Sequence, residues 1–223
     1  MEVRHVNIDY LGHDGFLITE KNGRKIAIDP YNVSDSVGKV DFILITHGHS
    51  DHCSIKDIAK IAREGTVIIL PADAQSKITK IDGVQMQIME VGDELSLEGL
   101  KIEAVSAYNV GKDFHPKSEK WLGYLLKFSE VIIYHAGDTD NIPEMEKLTG
   151  YGKQGNTFVA LLPVSGTYVM TAEEAVQVAK LLNVSIAIPM HYGAGVVGTI
   201  EDAQRFLTLC QESGIVARIL EKI

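Results

Sequence analysis

Apolar positions along the chain change period several times. Residues 4–10, 16–19 and 25–28 form short strand-like runs, separated by Gly12, Gly15 and Asn22-Gly23. Such runs between turn formers predict strands, and Asn-Gly between the last two predicts a hairpin with a type I′ turn. Phe42-Ile43-Leu44-Ile45 is continuous instead of alternating, and 67–70 repeats that pattern. Continuous apolar runs of this length predict strands buried on both faces. Between them the period turns helical. Ser54 stands as N-cap with Asp57 at N3, Ile55, Ile58, Ala59 and Ala62 share a face, and Gly65 ends the run. The middle of the chain predicts strands at 85–90, 94–97, 101–107, 123–128 and 131–135. The last third alternates strand and helix. Residues 158–162, 184–188 and 215–220 read as strands. Thr171 opens one helix, with Glu174 at N3 and Ala175, Val178, Ala179 and Leu182 inward. Thr199 opens another, with Ala203, Phe206, Leu207 and Cys210 inward.

Neither a pure α/β nor a pure β plan fits this order. Two mixed β-sheets packed face to face, with helices outside, would bury both the continuous runs and the helix stripes. The expected class is therefore α+β, with residues 1–223 forming a single domain, a size that one domain commonly reaches. Composition narrows the rest. Hydrophobic residues are 45% and charged residues 23%, so a disordered or fibrous chain is excluded. No apolar run approaches the ~20 residues that span a bilayer. The N-terminal stretch lacks the apolar core of a signal peptide. Two cysteines, Cys53 and Cys210, make no disulfide framework, so a reduced cytoplasmic protein is expected. The formal net charge of -9 argues against nonspecific nucleic-acid binding, which rests on clustered Lys and Arg.

Chemistry concentrates in Thr46-His47-Gly48-His49-Ser50-Asp51-His52, directly after a buried strand and directly before a helix cap. Imidazole nitrogen and carboxylate oxygen are both good zinc ligands. Gly48 and Ser50 are small enough to let the loop fold so that alternate side chains converge. One metal needs three or four ligands, so the surplus points to a second metal or to ligands from elsewhere. Two further candidates stand after strands: Asp138 in Gly137-Asp138-Thr139, and His191 in Pro189-Met190-His191. Carboxyl ends of strands are where such elements present functional side chains.

The run His47-Gly48-His49-Ser50-Asp51-His52 resembles the His-x-His-x-Asp-His signature of the metallo-β-lactamase fold hydrolases. Ala27-Ile28-Asp29-Pro30, Gly137-Asp138-Thr139 and Met190-His191 continue the match in order. Leu11-Gly12-His13 and Pro163-Val164-Ser165-Gly166-Thr167-Tyr168 resemble the subgroup that contains ascorbate-6-phosphate lactonase. The resemblance implies a four-layer αβ/βα sandwich with two metals at the edge between its sheets. It implies that His47 and His49 bind the first zinc, that Asp51, His52 and His191 bind the second, and that Asp138 bridges them. Asp29 would hold a ligand histidine from behind through its other ring nitrogen. The family also places a histidine after a mid-chain strand. Here that strand ends Val105-Ser106-Ala107-Tyr108-Asn109, and the nearest histidine is His115. His115 is therefore expected to complete the first site, by a loop that folds back; Asn109 as a substitute ligand, or a single tightly held metal, are the alternatives.

The expected activity is zinc-dependent hydrolysis of a small ester, lactone or phosphoester by a metal-held hydroxide, with Asp51 or Asp138 carrying the proton. Manganese or iron(II) could replace zinc. Tyr168, Tyr192, Lys112 and Lys117 are candidates for binding an anionic substrate, or are ordinary loop residues. A phosphodiesterase or nuclease, or a metal-binding regulatory module without turnover, are the rival readings. His49 stands where the oxygen-reducing diiron branch of this fold typically has glutamate, which favours zinc. His13 is read either as contacting the site or as packing in the interior, His135 as supporting its loop, and Cys53 as buried. A homo-oligomer is compatible with every feature.

Overall fold

The computed structural model describes residues 1–153 and 155–223. Among the described residues, thirteen strands and four α-helices follow one another. They divide into two compact units, 1–90 with 220–223, and 91–219.

The first unit holds a seven-stranded sheet whose spatial order is its chain order. Its strands are β1 (Glu2–Val3), β2 (Val6–Gly12), β3 (Gly15–Glu20), β4 (Lys25–Ile28), β5 (Phe42–Leu44), β6 (Val67–Leu70) and β7 (Gln85–Ile88). β1 to β4 pair antiparallel and β4 to β7 pair parallel. Helix α1 (Ile55–Ile61) connects β5 to β6, and α2 (Gln75–Ile78) follows β6. The apolar stripe of α1 joins a core of Leu17, Ala27, Ile43, Ile45, Ile68 and Leu70. β7, at the sheet edge, is exposed along its whole length, with Gln85 and Gln87 alternating with Met86 and Ile88.

The second unit repeats that plan with six strands. They are β8 (Glu94–Leu97), β9 (Leu100–Ser106), β10 (Leu122–Lys127), β11 (Val131–His135), β12 (Thr157–Pro163) and β13 (Ile186–Met190). β8 to β11 pair antiparallel and β11 to β13 pair parallel. α3 (Ala172–Leu182) links β12 to β13, and α4 (Ile200–Glu212) follows β13. Every residue of β11 is buried. α3 opens with the expected capping box: Glu174 N donates to Thr171 Oγ1 (3.2 Å) and Thr171 N to Glu174 Oε2 (2.8 Å). Both sheets are thus mixed, with helices in the connections, as the α+β expectation required. Among the described residues no helix is long and apolar enough to cross a membrane.

Three local expectations fail. The first strand is displaced, because Arg4 adopts φ 57° and turns the chain between β1 and β2. The hairpin joining β3 to β4 is not type I′. Gly23 alone has positive φ (88°), and its N–H donates to Glu20 O, closing a turn over Lys21 and Asn22. That is the three-residue hairpin in which glycine takes the left-handed position after the turn. Residues 215–220 form no strand; Ala217 makes only an isolated bridge to Ala187. Four-residue α2 has too little length for a helical period to register.

Candidate metal centre

Strand direction decides which residues gather in each unit. In the first, β2, β4 and β5 run the same way, so His13, Asp29 and the 46–52 loop leave the sheet at one edge. In the second, β9, β11 and β13 run the same way, and His115, Asp138 and His191 follow their carboxyl ends.

Asp29 organises the first set. It is fully buried, and its Oδ1 accepts from Thr46 N (2.8 Å). Its Oδ2 accepts from Thr46 Oγ1 (2.5 Å) and from His52 Nδ1 (2.9 Å). Because Thr46 Oγ1 spends its proton on Asp29, it must accept from His47 Nδ1, 2.9 Å away. Both His47 and His52 are thereby fixed with the proton on Nδ1, and each presents its Nε2 lone pair. His49 is exposed, with Nδ1 3.0 Å from His47 Nε2. Asp51 Oδ2 accepts from His13 Nε2 (3.0 Å). One donor atom each of His13, Asp51 and His52 lie within 4.8 Å of one another. A Cβ at Gly48 would fall 2.6 Å from Asp73 Oδ2, which accepts from Gly48 N, so any larger residue there would have to displace that carboxylate. Lys77 donates to the Gly48 carbonyl and holds the loop from the other side.

The second set centres on Asp138, which is buried. Its Oδ2 lies 3.1 Å from His115 Nε2 and 3.2 Å from His191 Nε2. His115 Nδ1 lies 3.1 Å from the Tyr168 carbonyl, which can only accept, so this imidazole also carries its proton on Nδ1. Ser165 Oγ stands 2.8 Å from His191 Nδ1. Asn109 is engaged with the loop itself. Its Oδ1 accepts from His115 N (3.1 Å) and its amide donates to Tyr168 O (2.8 Å), so it braces the loop that returns His115. Trp121 packs edge-on against the His115 ring.

Residues 13, 29 and 191 all hold positive φ (56°, 41° and 62°) with no glycine to ease it. Backbone strain of this kind persists where surrounding contacts over-determine it, and it clusters at functional sites. At His13, Tyr10 Oη supplies one such contact, donating to the His13 carbonyl (3.0 Å).

A metal fits this donor set. Nitrogen and oxygen donors predominate, and three histidines have the ring nitrogen opposite the presented one held by carboxylate, hydroxyl or carbonyl. That is how proteins orient imidazole ligands. Cys53 belongs to neither set. It is buried, and burial pushes its thiol up to about 11.

Lys112 and Lys117 are engaged within the protein: Lys112 Nζ lies 2.6 Å from Asp140 Oδ1, and Lys117 Nζ 2.6 Å from Glu144 Oε1. Tyr192 is buried. His135 supports its loop, as expected, by accepting from Gly137 N (3.2 Å). Sequence reasoning missed Asp14, which is fully buried with Oδ2 3.6 Å from His52 Nδ1. The signal was a titratable His13-Asp14 pair between two glycines at a hairpin tip. The roles of Thr46, Ser165 and Asn109 as supports for imidazoles were also missed, since such contacts leave no spacing pattern.

Comparison with known proteins agrees with this chemistry. Residues 7–191 match the β-lactamase superfamily domain. The UPF0173 metal-dependent hydrolase of Thermoplasma acidophilum is 32% identical over 202 residues, covering 85% of this chain and 84% of its own. That of Nanoarchaeum equitans is 32% identical over 221 residues, with 97% of each chain covered. A Parabacteroides distasonis crystal structure, assigned as a metal-dependent hydrolase, superposes with a TM-score of 0.81 at 32% identity. It covers 97% of this chain and 94% of its own. The chain belongs to the metallo-β-lactamase superfamily, among the UPF0173 metal-dependent hydrolases.

Proposed function

We propose that residues 1–223 act as one domain, a cytoplasmic zinc hydrolase that holds two metal ions and cleaves a small ester, lactone or phosphoester. His47, His49 and His115 would hold the first ion, and Asp51, His52 and His191 the second. Asp138 would bridge them. The observation that carries this reading is the fixed Nδ1–H tautomer of His47, His52 and His115, which turns each Nε2 lone pair into a donor. Zinc suits imidazole and carboxylate donors together, without a redox partner. When bound, the metal supplies Lewis acidity, making hydroxide available near neutral pH and polarising a substrate oxygen. The chain supplies the rest. Asp29 and Thr46 keep the imidazoles in register, and His13 holds Asp51 in one orientation through Oδ2. Asp51 or Asp138 takes the proton from water and returns it to the leaving oxygen. The buried, uncrosslinked thiols of Cys53 and Cys210 support a reducing compartment.

Metal content per chain tests this, measured by mass spectrometry on wild type and His115→Ala prepared identically. About two zinc ions are expected, falling to about one in the variant. Hydrolysis should stop on chelation and return with zinc. A wild type without stoichiometric metal, after growth with added zinc, iron and manganese, overturns the reading.

A further inference from the structure

His115 is flanked by an apolar side chain that stands in solvent, and the loop after His191 carries another. Phe114, directly before His115, is 49% exposed. Its ring meets Tyr168 edge-on, with centroids 4.6 Å apart. The same Tyr168 accepts from His115 Nδ1 through its carbonyl, so the aromatic pair is fixed relative to the imidazole. Val110, on the same loop, is 57% exposed, and the loop is closed at its base by Asn109 N donating to His115 O (2.7 Å). After His191 the chain forms another closed loop, Gly193 N donating to Gly198 O (3.1 Å), which presents Val196 at 40% exposure. A single exposed apolar residue is ordinary. Phe114 and Val110 stand on one short loop whose ends are tied, and Val196 on another, so each has a fixed position.

Charge points the same way. The lysines of the loop, Lys112 and Lys117, would be the natural partners for a phosphoryl group. Lys112 already pairs with Asp140 and donates to the Val169 carbonyl (2.7 Å). Lys117 pairs with Glu144, donates to Tyr108 Oη (3.2 Å) and lies over the Tyr108 ring. A substrate anion that took Lys112 would leave the buried Asp140 carboxylate without its cation, which is costly, whereas Lys117 and Glu144 form an exposed pair that resists displacement only weakly. A neutral substrate with an apolar group gains contact area and loses little.

Resting on the hydrolase reading above, we infer that this site prefers neutral esters or lactones, whose apolar acyl or aryl group lies on the Phe114–Tyr168 pair, over phosphorylated substrates. Water adds at the carbonyl carbon and the carbon–oxygen bond to the leaving alcohol breaks. The products are a carboxylic acid, which releases its proton to solvent, and the alcohol; nothing is oxidised or reduced.

The test pairs turnover with binding on the full-length, metal-loaded chain. p-Nitrophenyl esters from acetate to hexanoate, and p-nitrophenyl phosphate and its diester, are compared by kcat/KM. A rise of about tenfold from acetate to hexanoate is expected, as partial burial of methylenes predicts, with the phosphoesters slower than any carboxylic ester. Phe114→Ala should flatten the chain-length dependence while metal content and melting temperature hold. Binding is read from Trp121, the single tryptophan, whose ring packs against His115. A neutral phenyl alkyl ketone should give a saturable fluorescence change, weakened about tenfold in Phe114→Ala and Tyr168→Ala. Phenyl phosphate should bind more weakly. Tighter binding of phenyl phosphate, or affinity and chain-length dependence unchanged in both variants, overturns the inference. The two readings fail separately. Saturable, Phe114-dependent ketone binding without hydrolysis of any substrate removes the hydrolase and keeps the apolar surface. Hydrolysis indifferent to Phe114 does the reverse.

Discussion

At the scale of single residues, Asp29 is the most consequential side chain outside the ligand set. One carboxylate receives three hydrogen bonds, and through them the tautomers of two histidines are decided. An asparagine has one acceptor oxygen in place of two, so it cannot receive Thr46 N, Thr46 Oγ1 and His52 Nδ1 in the same geometry. Asp29→Asn should therefore lower zinc affinity about 10- to 100-fold, the usual cost of losing a partner behind a ligand histidine. Competition against a fluorescent zinc chelator of known affinity measures it; an unchanged affinity means that the imidazoles find their orientation elsewhere. This scale is also where the sequence was most and least informative. His47, His49, Asp51 and His52 crowd into six positions, a pattern that chance rarely makes. Asp14, Ser165 and Asn109 have no such signature, because their partners are 26 to 59 residues away or are backbone groups.

At the scale of elements, the return of His115 depends on a loop with latches at both ends. Asp140 Oδ2 accepts from Val110 N (2.8 Å) while its Oδ1 meets Lys112; beyond His115, Glu144 receives Tyr108 Oη (2.7 Å) and Lys117. The Lys117 ammonium and the Tyr108 hydroxyl hold the Glu144 carboxyl at about 2, below its ordinary 4.5. A carboxyl depressed in the folded state contributes stability in full above its unfolded value. That contribution is lost as the pH falls from about 4.5 towards 2. Glu144→Gln should therefore melt below the wild type at pH 6, and the gap should close as the pH approaches 2. Melting temperatures of both proteins across that range decide it, and a gap independent of pH would assign the effect to packing. The buried strands and the capped helices were legible because each satisfies one period and one cap. The loop at 109–117 was not, since no period describes a segment whose shape is set by ion pairs to β11's exit. The hairpin turn at Gly23 was misread for a related reason: Asn-Gly signals a left-handed position, and only the backbone bond from Gly23 to Glu20 shows which residue takes it.

At the scale of the whole molecule, each unit repeats one plan, antiparallel strands first and parallel strands last, with chemistry at the carboxyl ends. The alternation of runs along the sequence announced the two mixed sheets, because continuous apolar strands need cover on both faces. Overall charge excludes more than it assigns. With a formal net charge of -9, the chain should show no saturable binding to duplex DNA up to about 100 µM at 150 mM salt, by fluorescence anisotropy. Salt-dependent binding below that concentration would revive the nuclease reading.

The tied loop at 109–115 has one more consequence. Its base is fastened by main-chain bonds and its shoulders by Asp140, while Val110 and Phe114 at its crest face outward. The fastening does not depend on what the crest carries. Mutation can therefore redraw the crest, and with it the menu of acceptable molecules, without touching the atoms that hold His115. A lineage built on this scaffold is free to change diet while its reactive chemistry stays inherited.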